Sequence, residues 1–211
     1  MITTELEDYI LNVIDPEDPL LYELYRETNV KTMHPRMVTG RWQGQILQMI
    51  STMIAPRLIL EIGTFTGYSG ICLARGLAAG GHLHTIEIND ELIEIPQRYF
   101  KRSGLQDKIT IHVGDALEII PTLNMEFDLV FIDGEKSEYI KYYDAIFDKV
   151  RPGGFIMADN ILWSGKVLKE VEKGDYFTEG IINFNLYLKN DSRVEKTIIP
   201  LRDGTMLIRK K

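Results

Sequence analysis

Between residues 58 and 160 the chain alternates two kinds of segment. Five short apolar runs, LILEIG, HLHTIEI, KITIHVG, FDLVFIDG and GGFIMADN, are separated by GYSGICLARGL, DELIEIPQRYFKRSG, DALEIIPTL and SEYIKYYDAIFDKV. The runs have the length and β-branched content of buried strands, while the intervening segments repeat their apolar residues with a period of about 3.6. Strand and helix in regular succession leave one economical arrangement: parallel strands joined by crossover helices that cover both faces of the sheet. The expected class is therefore α/β, a Rossmann-like, doubly wound, mostly parallel sheet.

Both ends of the chain depart from the alternation. VEKTIIPL and TMLIRKK flank an Arg-Asp-Gly turn, and an Asp-Gly between alternating runs is a hairpin signal, so the sheet should close with an antiparallel pair. At the other end Leu6, Tyr9, Ile10, Val13 and Ile14 fall at helical spacing before Pro16 and Pro19, and LLYELYRET resumes a second helix. Residues 1–36 thus read as a helical N-terminal extension of a single domain spanning 1–211. TGRWQGQILQMISTMI follows, with Trp42, Ile46, Met49, Ile50 and Met53 on a face expected to pack against the body or a partner subunit.

A net charge of -7 repels a phosphate backbone, and only the terminal RKK is basic, so no nucleic-acid partner is expected. Cys72 is the single cysteine, which excludes an internal disulfide; it reads as a small core residue. The acidic, amphipathic start is unlike a signal peptide, and no stretch approaches ~18 consecutive apolar residues. The expectation is a cytoplasmic protein without a membrane partner.

In open α/β sheets the ligand site lies beyond the carboxyl ends of the strands, so those ends form one row. The first strand leads into Gly63 and Gly67, a spacing that matches neither the dinucleotide fingerprint nor a phosphate loop. Glu87, ending the second strand, suits the two hydroxyls of a ribose. Asp115 after the third strand can cap the next helix or neighbour an adenine. The fourth and fifth strands end in Asp133 and in Asp159-Asn160, a hard-oxygen set suited to Mg2+ or Ca2+.

In order and spacing, EIGTFTGYS, TIEIND, GDALEIIP, FIDGEKSEY, GGFIMADNILWSG and PLRDGTMLIR resemble the cation-dependent, S-adenosylmethionine-using O-methyltransferases of the caffeoyl-CoA type, and more distantly the catechol type. The likeness covers residues 37 to 211 and implies the class I methyltransferase fold, S-adenosylmethionine, a divalent cation (Mg2+, with Ca2+ or Mn2+ as alternatives), a phenolic small-molecule acceptor and a homodimer. It implies cofactor contacts at Thr39, Glu61, Gly63, Thr64, Ser69, Glu87, Ala116, Asp133, Glu135 and Tyr142. Asp133, Asp159 and Asn160 match the metal ligands, and Lys136 the base that takes the acceptor's proton, which makes Lys136 and Asp133 the catalytic pair. Glu87 stands where an aspartate is more usual, and Ser164 replaces an asparagine common in plant members, which weakens any transfer of the plant substrate. Two other readings share the sheet: an NAD-dependent oxidoreductase, whose glycine fingerprint is missing here, and a nucleoside-binding module without turnover, which has no need of Lys136 or a divalent site.

Overall fold

Every apolar run becomes a strand of one seven-stranded sheet in the computed structural model, which describes residues 3–211. The strands are β1 (Leu58–Ile62), β2 (His82–Glu87), β3 (Ile109–Val113), β4 (Phe127–Ile132), β5 (Val150–Ala158), β6 (Val194–Ile199) and β7 (Thr205–Lys210). Their order is β3-β2-β1-β4-β5-β7-β6. β1 to β5 pair in parallel, and β7 runs antiparallel to both β5 and β6. The expected closing hairpin is present.

Alternation along the strands divides the core between the two faces. Leu60, Ile62, Val130 and Ile132 point into one layer with Tyr139, Tyr143 and Phe184. Ile59, Leu129 and Phe131 point into the other with Leu47, Tyr99 and Phe100. A strand buried on both faces is apolar on both, which is why β4 reads from Leu129 to Ile132 as a run rather than an alternation. Each fully buried Leu, Ile or Phe contributes roughly 1.5 to 3 kcal/mol.

The crossover helices are α4 (Tyr68–Arg75), α5 (Glu94–Arg102), α6 (Ala116–Ile119) and α7 (Tyr139–Phe147), with α8 (Tyr176–Lys189) before the hairpin. The segment DALEIIPTL forms only one α-turn and then a 3-10 turn, because Pro121 cannot donate the next helical bond. Two helices occupy the N-terminal region as expected, α1 (Thr4–Val13) and α2 (Pro19–Lys31); Asp18 caps the second by accepting from the Leu20 and Leu21 amides. α1 buries none of its residues, and the chain just after it is tied to the first residue of α3 (Arg41–Ile54), where Arg41 donates to the Ile14 and Asp15 carbonyls.

α3 (Arg41–Ile54) corrects part of the sequence expectation. Its buried face is Gln43, Gly44, Leu47 and Ser51, whereas Met49 and Met53 are exposed and do not pack on the body. The reason is close approach. A Cβ at Gly44 would lie 2.6 Å from the Tyr68 ring and 2.9 Å from Cys72 Sγ, so Gly44 faces α4 at close range, Ile50 packs partly on the core, and Met49 and Met53 turn outward. Cys72 is buried there as a small core residue. No helix among the described residues is long and apolar enough to cross a membrane.

Candidate active site

Register brings the strand ends into one row. Gly63 and Thr64 donate to the Ile86 carbonyl, Asp133 donates to the Ile62 carbonyl, and Asp159 donates to the Ile132 carbonyl, at 2.9 to 3.2 Å. These bonds extend the β2-β1-β4-β5 ladder by one step, and the next side chains are Glu87, Gly63, Asp133 and Asp159. The row straddles the change of strand order between β1 and β4, where an open sheet offers its crevice. Gly63 has φ +101, and a Cβ on it would sit 2.5 Å from the Asp133 carbonyl oxygen. Only glycine fits this crossing.

Asp133, Lys136, Tyr139 and Asp159 form one network. Lys136 Nζ donates to Asp133 Oδ1 at 2.7 Å and to Tyr139 Oη at 3.0 Å, and Tyr139 Oη donates to the Asp159 carbonyl at 3.1 Å. Side-chain exposure is 12 % for Lys136 and 22 % for Asp133, so water does little to screen the pair. Burial raises the Asp133 pKa to about 6; Lys136 works against that rise and Asp159 adds to it. Burial also opposes charge on Lys136, but Asp133 and Tyr139 outweigh it and hold the ammonium well above the ordinary lysine range. In this resting arrangement Lys136 is a hydrogen-bond donor. Tyr139 is kept a phenol, chiefly by burial.

Asp159 is 5 % exposed and receives one donor on each oxygen: Thr205 Oγ1 at 2.8 Å on Oδ1 and Gln43 Nε2 at 2.7 Å on Oδ2. Asn160 follows with φ +60, a left-handed conformation that asparagine tolerates. Among the described residues Asp133 Oδ2 and the Asn160 amide take no hydrogen bond. Hard oxygens with free lone pairs beside a doubly held carboxylate fit a divalent cation such as Mg2+. No group of three His, Cys, Asp or Glu side chains among the described residues could hold a metal, so a cation between Asp133 and Asp159 would need a further donor such as the Asn160 amide.

Around the end of β1, Glu61 is fully buried. Thr85 Oγ1 donates to its Oε2 at 2.6 Å and shares a 2.5 Å hydrogen bond with Thr64 Oγ1, while Oε1 has no partner among the described residues. Burial raises the Glu61 pKa to about 7; the Ser69 and Thr85 hydroxyls pull it down, and Asp133 and Glu87 push it up. An unsatisfied buried carboxylate oxygen costs about 1 to 3 kcal/mol unless a donor meets it, and a cationic ligand group meets that need. Glu87 accepts the Phe65 amide at 2.7 Å on Oε2 and the Asn89 amide at 2.9 Å on Oε1, which leaves one lone pair on each oxygen for a diol. S-adenosylmethionine, with an amine, a sulfonium and a ribose, matches this set.

Of the other sequence candidates, Ala116, Glu135 and Tyr142 stand apart from these networks, and Thr39 is tied to Asp159 only through Arg202 and Gln43. Ala116 is buried at the start of α6, where Asp115 caps the helix by accepting the Leu117 amide at 2.8 Å. Glu135 is exposed and caps the following turn through Ser137, and Tyr142 Oη donates to Glu138 Oε2 at 2.9 Å. Thr39 is buried, and its carbonyl accepts from Arg202 Nη1. The sequence reading passed over Gln43, Thr85, Tyr139, Arg202 and Thr205. Gln43 alone had a readable signal, a polar residue at helical spacing from Leu47 and Ser51.

Comparison with known proteins agrees with the geometry. A family model described as O-methyltransferase matches residues 12–211. The chain is 32% identical to caffeoyl-CoA O-methyltransferase 2 of Eucalyptus globulus, over 97% of this chain and 88% of that one. It is 30% identical to the O-methyltransferase TomG of Streptomyces achromogenes, involved in tomaymycin synthesis and solved with SAM; 98% of this chain and 96% of that one superpose with a TM-score of 0.91. An O-methyltransferase from Bacillus cereus solved with SAH gives a TM-score of 0.90 at 29% identity, over 99% and 98% of the two chains.

Proposed function

Because the chain belongs to the O-methyltransferase family and takes its methyl group from S-adenosylmethionine, we propose that its acceptor is a catechol-like or caffeoyl-type phenol and that a divalent cation assists the transfer. The observation that carries this reading is the meeting of Asp133, Lys136 and Asp159 at the ends of two adjacent strands. The caffeoyl-CoA relatives support the phenolic class.

In this reading Asp133, Asp159 and Asn160 hold the cation, with Mg2+ favoured by the all-oxygen donor set. Were it bound, the ion would supply Lewis acidity to a phenol whose ordinary pKa is about 10, and Asp133, engaged in holding it, would stabilise the Lys136 ammonium less. Lys136, having first released its ammonium proton to solvent, accepts the acceptor's proton as a free amine held in place by Tyr139. The acceptor oxygen attacks the methyl carbon in line, the carbon–sulfur bond breaks toward sulfur, and S-adenosylhomocysteine leaves as a neutral thioether. Opposite charges are consumed in this step, so a water-poor site favours it.

Glu61, Ser69, Thr64 and the Gly63 backbone bind the amino-acid end of the cofactor, Glu87 its ribose and Ala116 its adenine, with Thr39, Glu135 and Tyr142 completing the rim. Residues 1–211 act as one catalytic domain with 1–36 as its helical extension, working in the cytoplasm as a homodimer. The exposed Met49, Met53, Tyr9 and Val13 offer apolar surface for the second copy. The test is a screen of catechols, caffeoyl esters and non-phenolic alcohols with methyl-labelled S-adenosylmethionine, with Mg2+ or with chelator. Transfer to vicinal diphenols only when metal is present is expected; equal transfer in chelator would remove the cation, and transfer only to non-phenolic alcohols would remove the phenol.

A further inference from the structure

We propose that Arg202 and Gln43 form a positioning relay that fixes the orientation of the Asp159 carboxylate at the site of methyl transfer. The proposal rests on the reading of Asp159 as a cation ligand given above.

Asp159 has one donor on each oxygen, from Thr205 on one side and Gln43 on the other. Turning the carboxylate breaks both bonds, so the pair defines where its remaining lone pairs point. Thr205 is the first residue of β7 and is held by strand pairing with Ile199. Gln43 has no such restraint on which end of its amide faces Asp159. An amide is nearly symmetric in shape: with the NH2 group toward Asp159 it donates, and with the oxygen toward Asp159 it repels.

Arg202 decides between the two. Its Nη1 donates to Gln43 Oε1 at 3.1 Å. Because a guanidinium has donors and no acceptor, it can face only the oxygen end, which turns the NH2 end toward Asp159. Gln43 is 4 % exposed, so water does not offer a competing partner that would release the amide.

The way Arg202 is held supports the same role. The same Nη1, sharing its two hydrogens among three acceptors, also donates to the Thr39 carbonyl and, at 3.3 Å, to the Val38 carbonyl, which joins the turn between β6 and β7 to the segment leading into α3. The turn is itself fastened beside Asn160: the Ile161 and Leu162 amides donate to the Gly204 and Asp203 carbonyls at 3.0 and 2.8 Å, and the Ser164 amide and hydroxyl both donate to Asp203 Oδ1 at 3.0 Å. Arg202 sits at φ +48, a left-handed backbone that costs a side-chain-bearing residue roughly 1 kcal/mol or more. A residue kept in such a conformation while its side chain spans three segments has its strain offset by those contacts. Arg202 touches no reacting atom; it acts through Gln43.

The test uses the full-length enzyme and calorimetric titration of Mn2+ in the presence of S-adenosylhomocysteine, on wild type, Gln43→Ala, Arg202→Met, Arg202→Lys and the Gln43→Ala/Arg202→Met double variant. Each single removal should weaken Mn2+ about tenfold, as loss of a partner behind a metal ligand commonly does. Arg202→Lys, which keeps a donor, should recover most of the loss, and the double variant should be no weaker than Gln43→Ala alone. Unchanged affinity in Arg202→Met, or losses that multiply in the double variant, would overturn the relay, because a turn clamp acting independently of Gln43 adds its effect. If wild type binds no Mn2+, the cation reading fails and the relay is judged by crystal structures of the same variants with S-adenosylhomocysteine. Asp159 still bonded to Thr205 in its original rotamer in Arg202→Met would then overturn it, and a rotated carboxylate would uphold it.

Discussion

Replacing Glu61 with glutamine should make the protein more stable at mildly alkaline pH and poorer at holding its cofactor. Glu61 has no exposure, and burial lifts its pKa from an ordinary 4.5 to about 7. Between those values the folded protein keeps a proton that the unfolded chain has already released. Stability from this group is therefore whole below pH 4.5, declines as pH rises, and is lost once pH passes about 7. At roughly 1.4 kcal/mol for each tenfold change in proton affinity, the gap amounts to about 3 kcal/mol above neutrality.

Glutamine keeps the acceptor for Thr85 and can never ionise, so Glu61→Gln should match wild type in urea unfolding at pH 5 and exceed it by up to about 3 kcal/mol at pH 8.5. At that pH the unfolding midpoint should move by about 1 M urea or more. The same change removes the lone pair on Oε1 that awaits a donor, and S-adenosylhomocysteine should bind roughly tenfold more weakly. A stability gain equal at both pH values would refute the titration argument. A gain with undiminished cofactor binding would refute the assignment of Oε1 to the ligand.

Lys136→Met should lower kcat by roughly a hundredfold while S-adenosylhomocysteine affinity stays within about threefold, since proton transfer contributes on that scale; steady-state kinetics beside calorimetry would separate the two, and a matched loss in both would remove Lys136 as the base. Gly63→Ala should cost roughly 2 to 4 kcal/mol, because its Cβ meets the Asp133 carbonyl at 2.5 Å on a backbone at φ +101; urea unfolding reads this directly. On the far edge of the sheet His84 Nδ1 and His112 Nε2 are 2.9 Å apart, and burial, with help from His82 and His112, lowers the His84 pKa to about 4. The melting temperature should therefore fall as pH drops from 6.5 toward 4, and His84→Phe should make that decline shallower.

The strands were legible nearly to the residue. LILEIG, FDLVFIDG and VEKTIIPL became β1, β4 and β6 with boundaries moved by at most two positions. In β1 and β4 burial on both faces demands an apolar run, whose end marks the end of the strand, whereas β6 is a largely exposed edge strand legible from the Asp-Gly turn that follows it. Helical packing was read less well. The stripe from Trp42 to Met53 is the most apolar face of its helix, yet the close contacts with α4 are made by Gly44, against Tyr68 and Cys72, and by Ser51, which donates to the Leu73 carbonyl, because closeness of approach favours small residues. Lys136 was found as a candidate, but its state was not: whether a lysine is a base or a paired ammonium depends on which carboxylate lies 2.7 Å away.

Taken alone, the order of residues determined the alternating fold, the closing hairpin and the row of acids at the strand ends. Those properties are local: periodicity decides the element, and the first polar residue after a buried run marks the rim. Only the tertiary structure decided which partner each acid meets. Gln43 reaches Asp159 across 116 residues and Arg202 reaches Gln43 across 159, through the packing of a helix and a turn beside one strand end. Such partners depend on the register of strands and the depth of helices, which no periodicity along the chain encodes, and they decide whether a carboxylate rests charged, shared or oriented.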